Sequence, residues 1–209
     1  MKQHLFPPLL EFMNDRAKEF DQISAERKVL LGQLSTYLST KYQKAETPKL
    51  IVICTHNSRR SHMGQIWLSV AAEYLTLPHL ESYSGGTEAT AFNHRSVAAL
   101  QKSGLEIRTE NADSKNPVYQ LSWKADMDAY RAFSKKFSDP PNPEQAFAAI
   151  MVCTEADEAC PFVPGAEFRL ALPFVDPKAF DDTDLEAEKY EERSRQIARE
   201  ILFALKEAS

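Results

Sequence analysis

The residues best suited to chemistry are a cysteine and an arginine that follow an apolar run. In the stretch LIVICTHNSRRSHMGQIWL (residues 50–68), Cys54 ends the apolar run and Arg60 comes six positions later. An arginine guanidinium can hold a tetrahedral oxyanion through paired hydrogen bonds, and its charge favours the thiolate, the reactive form of cysteine. The spacing predicts a thiolate nucleophile in an anion-binding loop; the alternative is a buried structural thiol beside surface arginines.

The elements around Cys54 place it where ligands bind in open α/β folds. KLIVIC is short, apolar and β-branched, which is typical of a buried strand, and SHMGQIWLSVAAEYL predicts an amphipathic helix after it. A strand-to-helix junction lies at the carboxyl edge of the sheet, and the N-terminal end of the helix attracts anions. The predicted oxyanion-binding loop consists of Thr55, His56, Asn57, Ser58, Arg59, Arg60 and Ser61.

Four members of this loop have separate expected roles. Arg60 is the predicted oxyanion ligand, whereas Arg59 is expected to tune the electrostatic field or to meet solvent. Asn57 tolerates the left-handed backbone that such a loop often needs. Ser61 can donate a further hydrogen bond to the Cys54 sulfur.

The rest of the chain alternates strand and helix patterns. LESYSGG, AFAAIMVC and FRLALPF predict further strands, while NHRSVAALQKSG and the C-terminal DLEAEKYEERSRQIAREILFALKEA predict helices. Such alternation is typical of βαβ units, so we expect an α/β fold with a four-stranded parallel sheet and helices on both faces. Residues 111–145, with four prolines, read as an irregular insertion for which no element is predicted.

The first 46 residues predict a helical N-terminal extension, followed by an α/β domain over 47–209. Pro7 and Pro8 suit a helix start, and Ser24 can cap a second helix. Apolar residues at helical spacing in that second helix form a stripe that packs either against the main domain or against a second subunit. A homodimer through the N-terminal helices is therefore one alternative.

Composition and charge exclude several classes of function. The net charge of -5 and the pI of about 5.6 argue against a nucleic-acid-binding surface. No apolar run approaches the roughly 18 residues of a membrane span, and the N-terminus lacks a signal-peptide pattern, so we expect a cytoplasmic protein. Three cysteines do not make a disulfide scaffold; in a reducing compartment they are buried and inert, metal-bound or catalytic.

The loop motif resembles that of a known family. CTHNSRRS is similar to the phosphate loop of the low-molecular-weight protein tyrosine phosphatase superfamily, which includes the thioredoxin-coupled arsenate reductases. YSGGTEA (83–89) resembles the turn that these proteins carry after their second strand. Asp176 and Pro177 in FVDPKAF resemble the Asp-Pro pair that supplies the family's general acid. The resemblance covers about residues 49–208, apart from the insertion at 111–145.

The other two cysteines lie in MVCTEADEACPFVPG, which resembles the redox segment of the arsenate reductases. Cys153 and Cys160 are seven residues apart, and Thr154 is expected to cap a short helix over 155–159. Seven helical residues span roughly 10 Å, whereas a disulfide needs Cα atoms within about 7 Å, so a bridge requires this helix to unwind partly. A zinc site is not predicted, because the usual cysteine spacing and nearby histidines are missing.

The resemblance implies a thiol relay that reduces arsenate, an activity of arsenical resistance. Cys54 would attack arsenate held by the loop and Arg60, with Asp176 as general acid. Cys153 would then release arsenite by forming a disulfide with Cys54, and Cys160 would form the final redox-active disulfide with Cys153. Thioredoxin would be the external reductant, and no metal or other cofactor is expected.

Two other functions remain as alternatives. A protein tyrosine phosphatase would use Cys54, Arg60 and Asp176 alone and would hydrolyse phosphomonoesters through a phosphocysteine intermediate. A non-catalytic sensor would instead capture an oxyanion, or As(III) through the three thiols. Phosphate and arsenate are so similar that some phosphatase side activity is expected with either enzyme.

A few residues depart from the family pattern or compete with the predicted site. His56 stands where the family loop often has glycine, and Arg59 stands where a cysteine is frequent. His62 follows the loop and is predicted to be an exposed residue of the first helical turn. Three carboxylates near Asp176 are interpreted as charges at a helix N-terminus, where they are favourable: Asp181, Asp182 and Asp184.

Overall fold

A computed structural model describes residues 5–160 and 162–208 of the chain. The helices are α1 (Pro7–Ala17), α2 (Ala25–Gln43), α3 (Arg60–Leu75), α4 (His94–Lys102), α5 (Thr154–Ala159) and α6 (Glu186–Glu207). The strands are β1 (Lys49–Cys54), β2 (Glu81–Gly86), β3 (Glu106–Thr109), β4 (Tyr119–Ser122), β5 (Tyr130–Ala132), β6 (Phe147–Met151) and β7 (Ala166–Ala171).

The predicted α/β fold is confirmed by a four-stranded parallel sheet in the order β2-β1-β6-β7, flanked by helices. The register aligns the carboxyl ends of these strands: Cys54 pairs with Gly86, and Met151 pairs with Ile53 and Ala171. Chain segments that leave these strands therefore begin at one edge of the sheet, which is where ligands bind in such folds. Cys54 and Cys153 both lie at this edge.

The N-terminal helices begin as predicted and pack on their own chain. Pro7 and Pro8 occupy the first turn of α1, and the Ser24 side chain accepts a 3.2 Å hydrogen bond from the Arg27 backbone N–H at the start of α2. Both helices contact α6, and α2 also contacts β7. The buried part of the α2 stripe is covered within the chain; it consists of Leu31, Leu34 and Leu38. The homodimer stays a prediction.

The 111–145 segment is more regular than its prolines indicated. Its strands β4 and β5 join β3 in a three-stranded antiparallel sheet, with Thr109 opposite Tyr119 and Tyr119 opposite Ala132. These strands are only three or four residues long, so their periodicity is too short to detect in the sequence. In the described part of the chain, no helix is long and apolar enough to cross a membrane.

Candidate active site

Residues 55–59 of the predicted anion loop connect the buried end of β1 to α3, and its last two residues, Arg60 and Ser61, lie in the first turn of that helix. Cys54 is 5% exposed, and its Sγ lies 3.1 Å from Ser61 Oγ, within hydrogen-bond distance. Asn57 has the left-handed backbone expected of it, with φ at 44°. A small cavity over this sulfur is lined by Cys54, Thr55, His56, Ser58, Arg59, Arg60 and Asp176.

The loop is held in place from several directions. Asn57 is fully buried; its Nδ2 donates to Ser61 Oγ at 2.9 Å, and its Oδ1 accepts from the Lys135 backbone N–H at 2.9 Å. On the β2 side, the Glu88 N–H donates to the Thr55 carbonyl at 2.8 Å. Side chains thus connect the sulfur, the loop and a segment 78 residues away, which gives a preorganised site.

One glycine beside the loop and one histidine within it explain how the loop fits. Gly86 must be glycine, because a Cβ there would lie 2.6 Å from the Thr55 carbonyl oxygen and 2.7 Å from the Asn57 nitrogen. His56, where the family often has glycine, instead directs a half-exposed imidazole toward Glu88, with 3.8 Å between Nε2 and Oε2. Its carbonyl accepts from Ser134 Oγ at 3.2 Å, so the histidine is accommodated without a left-handed backbone.

Arg60 lines the cavity but is bound to the segment that follows β7. Its Nη1 donates to the Phe174 carbonyl and its Nη2 to Asp176 Oδ2, each at 2.7 Å. The predicted oxyanion ligand and the predicted general acid are therefore adjacent and paired. An incoming oxyanion would compete with Asp176 for the guanidinium.

Arg59 does not meet solvent, which was one of its two expected roles. Its Nε donates to Tyr190 OH at 2.8 Å and its Nη2 to Asp181 Oδ2 at 3.3 Å, and the side chain is 13% exposed. Tyr190 OH in turn donates to Asp181 Oδ1 at 2.7 Å. Burial and the Asp181 carboxylate raise the pKa of Tyr190 to about 12. This cluster fastens the loop to α6 and to the turn after Asp176.

The interpretation of the three nearby carboxylates needs correction. Asp181 belongs to the Arg59–Tyr190 cluster, and Asp182 binds Arg95 at 2.6 Å on the surface. Helix α6 begins only at Glu186, so the acidic residues of its first turn are Glu186 and Glu188. The prediction for Asp181 failed because its partners are far away in sequence.

The prediction that His62 is exposed was wrong. His62 is fully buried, stacks on Phe92 with 4.0 Å between ring centroids, and has Nδ1 3.3 Å from Ser84 Oγ. Burial, together with the nearby Lys135 charge, holds the pKa of His62 well below 6.5. Helix α3 is buried on nearly every side, so its first turn has no solvent-facing position for this ring.

Lys135 is a buried cation near the loop that the sequence did not indicate. It is 5% exposed, and its Nζ donates to the Phe133 carbonyl at 3.4 Å and lies 4.9 Å from the Phe133 ring centroid. Burial lowers the pKa of Lys135 to about 8, although the Asp139 carboxylate acts in the opposite direction. Lys135 and Lys136 are adjacent in the sequence, and nothing in their pattern marks the first of them as buried.

The redox segment, residues 153–160, leaves the same edge of the sheet as the loop. Cys153 is fully buried, with Sγ 3.5 Å from Thr55 Oγ1, while Cys160 is half-buried and all three cysteines carry free thiols. The expected cap is wrong by one residue: Thr154 is the first residue of α5, and Cys153 occupies the cap position without a side-chain hydrogen bond to the helix. Neither Cys153 nor Cys160 lines the cavity over Cys54.

Arg169 holds the C-terminal end of the redox segment and was not found by sequence reasoning. Its Nη2 donates to the Cys160 carbonyl at 3.0 Å and to the Asp157 carbonyl at 2.9 Å, and it forms a 2.5 Å ion pair with the Asp157 side chain. Across residues 5–160 and 162–208, no three His, Cys, Asp or Glu side chains are grouped to hold a metal ion.

Sequence and structure comparisons identify relatives of this chain. It is 28% identical over 134 residues to an arsenate reductase of Halalkalibacterium halodurans, covering 64% of this chain and 77% of the relative. It is 26% identical over 127 residues to arsenate reductase 2 of Staphylococcus epidermidis, covering 60% and 75%. No protein-family profile matches the chain.

Solved structures with a similar fold have low sequence identity. A YwlE mutant from Bacillus subtilis is 13% identical with a TM-score of 0.52, covering 77% of this chain and 97% of the other. A low-molecular-weight phosphotyrosine phosphatase from Vibrio cholerae O395 is 14% identical with a TM-score of 0.49, covering 76% and 95%. In sequence the chain is thus similar to arsenate reductases, and its fold is similar to that of the Bacillus subtilis structure.

Proposed function

We propose that this protein reduces arsenate to arsenite through a relay of Cys54, Cys153 and Cys160, with thioredoxin as the external reductant. The observation that carries the proposal is the position of Cys153, a buried thiol that contacts Thr55 of the anion loop. A phosphatase has no use for a thiol there, nor for another thiol seven residues later at the end of a short helix. The similarity to arsenate reductases supports the same choice.

In the first step the Cys54 thiolate attacks arsenate, and a sulfur–arsenic bond replaces an arsenic–oxygen bond. Asp176 gives its proton to the departing oxygen, which leaves as water. Arg60 and the loop N–H groups balance the charge of the oxyanion. Since Asp176 and Arg60 are paired at 2.7 Å beforehand, substrate binding must separate them so that each can face the oxyanion.

In the second step the Cys153 thiolate attacks the Cys54 sulfur. A Cys54–Cys153 disulfide forms, and the electrons of the broken sulfur–arsenic bond stay on arsenic, which leaves as arsenite. The Cys160 thiolate then attacks Cys153 and restores the Cys54 thiolate. The two electrons thus come from the Cys153 and Cys160 thiols, and a thioredoxin dithiol reduces the disulfide they form. No step of this relay uses a metal.

A coupled assay tests the relay directly. Purified protein is incubated with thioredoxin, its reductase and NADPH, with and without arsenate, beside a separate aryl-phosphate hydrolysis assay. We expect arsenate-dependent NADPH oxidation that is lost in Cys160→Ser, and we expect Cys54→Ser to lose both activities. NADPH oxidation that persists in Cys160→Ser would contradict the three-thiol relay.

The second candidate is phosphomonoester hydrolysis, because the cavity contains Cys54, Arg60 and Asp176 without the other cysteines. It predicts aryl-phosphate turnover that is unaffected by Cys160→Ser, in a protein that does not reduce arsenate. Thioredoxin coupling implies a reducing compartment, so we place the proposed reaction in the cytoplasm. We also retain, as proposals, the division into an extension over 1–46 and an α/β domain over 47–209.

A further inference from the structure

An arginine of the N-terminal extension, Arg27, contacts the residue whose backbone carbonyl binds Arg60. Arg27 is in the first turn of α2, where the Ser24 cap fixes its backbone. Its guanidinium carbon lies 4.5 Å from the centroid of the Phe174 ring, and its Nε donates to Glu200 Oε2 at 2.6 Å. The Arg27 side chain is 16% exposed and that of Glu200 is 3% exposed, so the pair is largely desolvated.

Phe174 connects this ion pair to the active site. Its ring is buried at 4% exposure, and its N–H donates to the Val152 carbonyl at 3.1 Å at the edge of the sheet. Its carbonyl is the acceptor for Arg60 Nη1, and two residues later Asp176 takes Arg60 Nη2. A shift of the Phe174 ring would therefore move the Phe174 carbonyl, which is one acceptor of Arg60. It would also move the start of the segment that carries Asp176, the other acceptor.

We propose that Arg27 is a positioning residue for oxyanion binding, acting through the Phe174 ring on Arg60. The inference rests on the proposed oxyanion site and gives the N-terminal helices a part in it. A guanidinium over an aromatic face is attracted by the ring, and Glu200 holds that guanidinium so that it cannot turn away. Glu200 is itself fixed by a 2.8 Å hydrogen bond from Gln196 Nε2.

The chain offers a matched control for this arginine. Arg16 in α1 lies 4.5 Å from the centroid of the Phe12 ring and forms a 2.6 Å ion pair with Glu19, with side-chain exposures of 9% and 24%. Its chemistry is the same as that of Arg27, but its ring partner Phe12 stacks on Trp67 in the middle of α3, with 5.0 Å between ring centroids. Glu19 pairs with Arg199 of α6, so neither partner of Arg16 is Phe174 or Asp176. Arg16→Met therefore shows what the loss of a buried arginine does to the protein when Phe174 is not affected.

The experiment compares Arg27→Met with Arg16→Met in the full chain. Dissociation constants for arsenate and for inorganic phosphate are measured by calorimetry, and thermal unfolding is recorded for each variant. We expect Arg27→Met to weaken the binding of both oxyanions by about 3- to 10-fold, which is within the free energy that a cation–π contact can contribute. Arg16→Met should lower the unfolding midpoint yet leave the dissociation constants unchanged, and Arg27→Lys should recover part of the affinity. Equal effects of the two Met variants, or no effect of Arg27→Met, would overturn the proposal.

A second comparison tests the route through the ring. Phe174→Leu keeps the backbone carbonyl and removes the aromatic face, so Arg27→Met should add little to it if the two residues act together. If the double variant raised the dissociation constants by the product of the two single effects, Arg27 would act independently of the ring. Because binding is measured without turnover, a protein that binds oxyanions but does not reduce arsenate would refute the relay while leaving the Arg27 proposal intact.

Discussion

The anion loop and the redox segment both follow buried strands at the same edge of the sheet, yet they are held very differently. The loop is fixed along its length by the buried Asn57 side chain, by backbone hydrogen bonds from residues that follow β2, and by the hydrogen bond from Arg59 to Tyr190 of α6. The redox segment is a helix of six residues that begins without a side-chain cap and is held at its end by Arg169.

This difference corresponds to what each region must do in the proposed relay. An oxyanion site works best when its donors are already in place, because reorganisation costs free energy during the reaction. A disulfide between Cys153 and Cys160 instead needs a helix that can unwind, and helices as short as α5 are marginal by themselves. We therefore expect the loop to lose function when any one of its contacts is removed. We expect the redox segment instead to unwind more easily when its contacts are removed.

The largest expected effect comes from breaking the loop at Asn57. Asn57→Ala removes two hydrogen bonds of a fully buried side chain. It also places alanine at φ 44°, a left-handed conformation that asparagine tolerates better than alanine does. We expect the free energy of unfolding to fall by about 2–4 kcal/mol. Turnover should fall roughly 100-fold, because small displacements of catalytic groups are costly. Urea denaturation and steady-state kinetics measure the two effects.

Asn57→Gly separates the backbone from the side chain. Glycine adopts the left-handed conformation freely, so this variant should lose only the hydrogen bonds and retain more stability than Asn57→Ala. If both variants kept full turnover, the loop would not be the preorganised unit inferred from its contacts.

The next prediction concerns the stability of the protein at acidic pH, because His62 is buried next to the loop. Its pKa is depressed in the folded protein, so below about pH 6.5 the unfolded chain takes up a proton that the folded protein does not. The free energy of unfolding should therefore decrease as pH falls below that value, by up to about 1.4 kcal/mol per pH unit. Replacing this ring by His62→Phe, which can still stack on Phe92, should flatten the dependence measured by urea denaturation.

The exposed His79 supplies the control for this titration. His79→Gln changes an exposed imidazole and should leave the pH dependence of unfolding as it is in the parent protein. An unchanged slope in His62→Phe would mean that other groups, rather than His62, determine the acid sensitivity.

The sequence was informative about the loop because its chemistry is local. Cys54, Asn57 and Ser61 lie within eight residues, so one strand-to-helix junction was enough to infer their geometry. The parallel sheet was predictable for the same reason, since each buried strand is marked by its own apolar run.

The partners that hold both regions could not be predicted. The Lys135 backbone N–H reaches Asn57 across 78 positions, and Arg59 reaches Tyr190 across 131. Arg169 looked like an ordinary polar residue of a strand, and only the placement of β7 beside β6, the strand that precedes α5, brings it to Cys160. Contacts of this kind depend on the complete tertiary arrangement, which periodicity and spacing do not encode.

Releasing the C-terminal end of the redox segment is expected to have a smaller effect, and it should make a reaction faster instead of slower. Arg169→Ala removes the hydrogen bonds to the Cys160 and Asp157 carbonyls, so α5 should unwind more easily. We expect the Cys153–Cys160 disulfide to form about 10-fold faster under a mild oxidant, consistent with the loss of charge-assisted hydrogen bonds. Thiol quantification over time measures the rate, and aryl-phosphate turnover should be unaffected.

Arg131 provides a matched control for Arg169. It forms two hydrogen bonds with the Glu110 carboxylate beside the antiparallel sheet, away from the cysteines. Arg131→Ala should therefore leave the rate of disulfide formation unchanged. A slower disulfide in Arg169→Ala would indicate that this arginine aligns the two thiols and does not restrain them.

The smallest expected effect concerns the cluster that fastens the loop to the turn after Asp176. Tyr190→Phe keeps the buried ring and removes only the hydroxyl that joins Arg59 to Asp181. We expect a loss of about 1 kcal/mol in the free energy of unfolding, with turnover reduced about 3- to 5-fold because Arg59 and the Asp176 segment lose a shared anchor.

Tyr37→Phe is the control, since it also removes a phenol hydroxyl that binds a carboxylate, in this case Glu167 at 2.8 Å, but away from the loop. Turnover should distinguish the two variants, whereas the rate of Cys153–Cys160 disulfide formation should match the parent in both. If Tyr190→Phe altered that rate, the loop and the redox segment would be mechanically coupled, and the contrast between a fixed and an openable region would not hold.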